Sequence, residues 1–180
     1  MAAVGVCAFA ASSGQTNACV AGPVTPQSYT WNFKQEADRI FADIQSDTEQ
    51  AAEDSTTLQQ VVRDPDVDWQ VEGVPLNDIR DEVNDIGMKV CRLETIRRVL
   101  DPWQQKAVDG IAGSAAEIAD NTEAAIDFGN THPFELWAPT NAGYATNIAN
   151  GIRLLDHSVR HAVEHPKEER SEVHAATPTS

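Results

Sequence analysis

Apolar and small residues recur every three or four positions along most of the chain, the spacing that gathers side chains onto one face of an α-helix. The first stripe is Phe33, Ala37, Ile40, Ile44, Thr48, Ala51, Ser55, Leu58 and Val62. It predicts one long amphipathic helix that stops at Asp64-Pro65, because proline biases the residue before it away from helical geometry. The next segment, DPDVDWQVEGVP, has two prolines and a glycine and reads as a connection. A second stripe, Leu76, Ile79, Val83, Ile86, Val90, Leu93, Ile96 and Leu100, predicts a helix with Asn77 or Asp78 near its start to cap free amides.

Asp101-Pro102 then reads as a cap followed by proline in a first helical turn, where its missing amide costs nothing, so that the helix either breaks and restarts there or kinks. The third stripe runs from Trp103 through Ala107, Ile111, Ile118 and Ala125 to about Phe128, and Gly129-Asn130 is expected to end it. Its Gly110, Gly113, Ala115 and Ala116 permit close approach of another backbone. Tyr144, Ile148, Ile152, Leu155, Val159 and Val163 predict a fourth helix that ends before Pro166. Such stripes are unstable until they face one another, and no strand-like alternation competes with them. The expected fold is all-α, an elongated antiparallel bundle of three or four long helices in one domain over residues 31–165. An uncharged segment, 1–30, precedes it, and a polar tail, 166–180, is expected to fray.

Composition narrows the partners. With 28 acidic against 13 basic residues the formal net charge is -15, and no run of Lys or Arg offers a stripe to neutralise phosphates. Nucleic acid and anionic membrane surfaces are therefore not expected as partners. The acidity sits in residues 31–75 and 101–130, whereas 76–100, with Arg80, Lys89, Arg92, Arg97 and Arg98, balances to near neutrality. That middle segment is expected to lie between the acidic ones.

The uncharged opening contains the small-residue run AAVGVCAFAA and then TNACVAG, which reads as a remnant export signal with the mature chain beginning near residues 19–22. A disordered tail is the alternative, since no Lys or Arg precedes the run. The run is too short to span a bilayer. Cys7, Cys19 and Cys91 show no paired framework in their spacing, and no disulfide is required. Thr16-Asn17-Ala18-Cys19 has the small residue and cysteine of a lipoprotein cleavage box without the usual aliphatic residue three before the cysteine. Lipidation of Cys19 is not favoured.

The block RLETIRRVLDPWQQKAVDGI, followed by LWAPTNAGYATN, resembles a group of exported bacterial all-helical proteins of unknown function, over roughly residues 75–160. The resemblance implies helices and export to the periplasm or beyond. It supplies no activity and no functional residues.

Three stretches are candidate sites. His157, His161 and His165 form a stripe at i, i+4 and i+8, and imidazoles one turn apart can share a Zn, Ni or Cu ion. The stripe lies nearly opposite the apolar face of its helix, so a solvated face is the expected reading and a weak metal site the alternative. Asp64, Asp66 and Asp68 alternate like ligands of a calcium loop, but Trp69 stands where such a loop needs glycine and Pro75 where it needs a bidentate glutamate. In THPFELWAPTNAGY, residues 131–144, Phe134, Trp137 and Tyr144 cluster between helices. Thr131 or His132 can cap a turn that begins with Pro133, and Pro139 can open the next helix. The preferred expectation is a joint in which these aromatics plug the bundle end, with Trp69 and Trp103 as neighbours; a partner-binding surface is the alternative.

No di-iron Glu-x-x-His repeat, zinc-protease signature, haem attachment, nucleophile elbow or phosphate-binding glycine loop is present. The expected role is non-catalytic and needs no cofactor: a structural or protein-interaction bundle of the bacterial cell envelope that self-associates or binds a partner protein. The alternative is a periplasmic metal-binding or sensing bundle that uses the histidine stripe.

Overall fold

A computed structural model describes residues 32–66 and 68–175, with side-chain surroundings up to Glu164. Four helices follow one another: α1, Phe33–Val61; α2, Trp69–Thr95; α3, Pro102–Thr131; and α4, Pro139–Ala175. They form a helical bundle in which each helix packs on its neighbours in sequence and α1 closes against α4. The α1–α2 and α3–α4 connections therefore share one end, and the α2–α3 connection lies at the other.

The four predicted stripes supply most of the core, with Phe41 taking the interior place expected of Ile40, which is only partly buried. Phe41, Ile44, Leu58, Ile79, Ile86, Leu93, Ile111, Ile118, Ile148 and Leu155 are fully buried. Thr48 and Thr122 are buried too, and each turns its hydroxyl back to a carbonyl of its own helix, Ile44 at 2.7 Å and Ile118 at 2.8 Å. The α3–α4 seam is closest at two glycines. A Cβ on Gly151 would stand 2.7 Å from Ile118 Cγ1, and one on Gly110 would stand 2.9 Å from Ser158 Oγ.

The near-neutral middle segment does lie between the acidic ones. From α2, Lys89 pairs with Asp47 and Arg92 with Glu36 at 2.6 Å, both on α1, while Arg97 forks onto Asp109 of α3 at 2.8 and 2.9 Å. Lys34 adds a link from α1 to Asp101 at 3.1 Å. Charge placement thus helps set which helices are neighbours, although exposed pairs of this kind contribute only about 0–1 kcal/mol each.

Several boundaries differ from expectation. Asp68, not Asn77 or Asp78, starts the second helix, its Oδ1 accepting from the Gln70 amide at 2.6 Å. Two further turns thereby form before Leu76, and Pro75 sits inside the helix. Its ring is buried, and Val71, whose carbonyl loses the usual i+4 donor, lies on an exposed turn where water can replace it. Helix α3 passes through Gly129-Asn130 to Thr131, with His132 as C-cap. Gly129 faces Leu136: a Cβ there would meet Leu136 Cδ2 at 3.7 Å, an ordinary contact. Helix α4 continues through Pro166 to Ala175 rather than fraying at 166. The run KEER there is made of strong helix formers, which offset the hydrogen bond lost at proline. Asp101-Pro102 opens α3 as expected, and the Gln104 side chain accepts from the Asp101 amide at 3.0 Å.

Candidate functional site

The end shared by the α1–α2 and α3–α4 connections is built from two tight segments. After α3, the His132 carbonyl accepts from the Glu135 amide and the Glu135 carbonyl from the Ala138 amide, each at 2.9 Å, giving two consecutive turns before Pro139 opens α4. Phe134 and Trp137 occupy the third position of these turns. Phe134 is 91 % exposed and Trp137 55 %, while Leu136 between them is 2 % exposed.

The expected aromatic plug is therefore corrected. Leu136 closes the bundle end over Gly129, and Phe134 and Trp137 are left outside. Tyr144 alone among the three retains a packing role: it is partly buried on the core, edge-on to Phe128 at 6.5 Å, and the His132 ring stacks on the other side of that cluster, 4.6 Å from Phe128. Trp103 belongs to the opposite end, at the start of α3. Trp69, the first residue of α2, does join the loop and is 57 % exposed.

Pro65, Asp66, Asp68, Trp69 and Gln70 from one connection, with Pro133, Phe134, Leu136 and Trp137 from the other, line a cleft of about 370 Å³. It is open, with aromatic rings and carboxylates sharing its wall. The aspartates also order it: Asp64 Oδ1 accepts from the Asp66 amide at 3.0 Å, and Asp68 caps α2. They do not converge as cation ligands, since among the described residues no three His, Cys, Asp or Glu stand where they could hold a metal.

Beneath the cleft floor lies a polar pair that sequence reasoning missed. Glu72, in the first turn of α2, is 2 % exposed and accepts from Asn141 Nδ2 at 2.7 Å; the same amide nitrogen donates to the Leu136 carbonyl at 2.8 Å. One asparagine thus ties the start of α2, the start of α4 and the loop that carries Phe134 and Trp137. Burial pushes the Glu72 carboxyl above the usual carboxylate range, and the Asn141 bond offsets this in part. Glu72 Oε2 and Asn141 Oδ1 are buried without a hydrogen-bond partner. A protonated Glu72 has a donor to offer the amide oxygen, whereas an ionised one has none. Glu72 does not line the cleft.

A second perturbed carboxyl lies midway along the α1–α2 seam. Burial, followed by Asp54, Asp78 and Asp47, pushes Glu82 up to about 8. His157 and His161 are exposed on α4, between Asp156, Arg160 and Glu164, and His165 lies outside the residues whose side chains are described. The export segment, with Cys7 and Cys19, also lies outside the described residues. Cys91 is exposed on α2 and is disulfide-bonded. No helix among the described residues is long and apolar enough to cross a membrane. Comparison with protein-family models, with curated proteins and with solved structures finds no match to this chain.

Proposed function

We propose that this is a non-catalytic interaction bundle whose aromatic end binds a protein partner. The observation that carries the reading is the exposure of Trp69, Phe134 and Trp137 together around one cleft, on loops fixed from below by Leu136 and Asn141. Water contact by three large aromatic rings costs free energy that a partner can recover, and tryptophan is prominent among residues that dominate binding energy. A rigid platform under the rings keeps the ordering cost of association low. Against catalysis stands the separation of the perturbed carboxyls from the cleft: Glu72 is sealed beneath it, and Glu82 belongs to the α1–α2 seam.

The proposed setting is the periplasm or cell exterior. The uncharged opening segment and the resemblance to exported helical proteins support this, and the disulfide at Cys91 fits an oxidising compartment. The test is a photo-crosslinking amino acid at position 137 in the native host, with fractionation of the adduct. The reading predicts a discrete adduct in the envelope or exterior fraction that is absent when the crosslinker replaces exposed Met88. Equal labelling from both positions, or none from 137, contradicts it.

A further inference from the structure

The cleft has a charge as well as a shape, and its chemistry deepens the partner-binding reading, on which this inference rests. Residues 62–70 and 131–138 hold the carboxylates of Asp64, Asp66, Asp68 and Glu135 against the single guanidinium of Arg63. Asp66 and Asp68 line the cleft wall beside Trp69, Phe134 and Trp137. An aromatic face carries the negative end of a quadrupole and attracts cations, tryptophan most strongly, and a nearby carboxylate adds to that attraction. Asp68 is taken up by the positive end of α2 through the Gln70 amide, which leaves the Asp66 carboxylate on the cleft wall to add to the attraction.

We infer that the cleft receives the guanidinium or ammonium head of an arginine or lysine side chain carried on an extended segment of a protein partner. The surroundings favour a side chain on a peptide over a free small cation: Phe134, 91 % exposed, and Pro65 and Pro133 offer apolar contact at the cleft edge that a lone ammonium ion would leave uncovered. A second copy of this chain fits poorly, since it would bring the same acidic rim against this one in a molecule of net charge -15. The carboxylates equally repel phosphate.

The test uses the full chain and tryptophan emission as the readout. The probes are blocked five-residue peptides with a central arginine, lysine or citrulline between prolines, and tetramethylammonium chloride. Arginine and lysine peptides are expected to give saturable changes, with citrulline at least tenfold weaker and affinity falling as salt rises. Asp66→Asn and Trp137→Ala should each weaken the arginine peptide at least fivefold, and His157→Ala should leave it unchanged. Circular dichroism of each variant verifies that the bundle is retained, as exposure of all three side chains predicts. Citrulline binding as well as arginine, insensitivity to Asp66→Asn, saturable binding of tetramethylammonium alone, or self-association that fills the cleft would each overturn the inference. In those cases a discrete adduct from position 137 still upholds the broader partner-binding reading, whereas loss of that adduct removes both.

Discussion

Replacing Asn141 by alanine is expected to damage the bundle more than any exposed aromatic substitution does. The amide nitrogen supplies donors to two buried acceptors, Glu72 Oε1 at 2.7 Å and the Leu136 carbonyl at 2.8 Å. Each acceptor left unpaired costs about 1–3 kcal/mol, so Asn141→Ala should lose roughly 2–5 kcal/mol, a large share of a typical domain's stability. Glu72→Gln is the informative partner. A glutamine keeps the acceptor for Asn141 and places an N–H donor where Oε2, buried without a partner, stands. It should be close to the parent below the ordinary carboxylate range and should gain on the parent as pH rises through the folded-state value. The sign follows from the raised folded-state pKa of Glu72: its contribution is full below the ordinary carboxylate pKa and is lost as pH rises through the folded value. Urea denaturation of parent, both single variants and the double variant at pH 5 and 8 yields the coupling between the two side chains. A loss below about 1 kcal/mol for Asn141→Ala, or a Glu72→Gln variant that loses stability relative to the parent as pH rises, would refute the argument.

The course of the helices was legible where the stripe had no competing signal. Phe33 to Val62 and the opening of α3 at Asp101-Pro102 read directly, from spacing in the first and from a cap followed by proline in the second. The start of α2 was hidden by Pro75, which reads as a breaker unless one knows that its ring is buried and that Asp68 caps the preceding turn. Glu72 was invisible for a related reason: a glutamate in an assumed loop signals solvent, and its partner Asn141 is 69 positions away. In the joint, composition marked the stretch but not its orientation. Whether Leu136 or Trp137 faces inward depends on the path of two consecutive turns, which periodicity cannot report.

Three further outcomes follow from the same geometry. Glu82→Gln should flatten a decline in stability that the parent shows as pH rises from 4.5 toward about 8, with a gain near pH 8.5 of roughly 1–2 kcal/mol after allowance for solvent screening, read from urea midpoints. Gly151→Ala should destabilise by roughly 1–3 kcal/mol, since the new Cβ stands 2.7 Å from fully buried Ile118, whereas Gly113→Ala, with nothing within 4 Å, should stabilise by about 0.5–1 kcal/mol; thermal denaturation of the two variants gives opposite signs. Titration calorimetry with zinc or copper should give no micromolar heat that depends on His161; loss of such heat in His161→Ala would favour the metal-binding alternative.

The central claim is that the bundle holds its exposed aromatics and does not depend on them. Chemical denaturation of Trp137→Ala beside Leu136→Ala tests it most directly. Leu136, 2 % exposed, should cost about 2–5 kcal/mol on truncation to alanine, and Trp137, 55 % exposed, less than about 1 kcal/mol, while acrylamide quenching of the folded parent falls in Trp137→Ala because an accessible indole has been removed. The contrary result is a Trp137→Ala variant that loses as much stability as Leu136→Ala with quenching unchanged, which would return Trp137 to the interior and leave the proposed binding end without its principal contact.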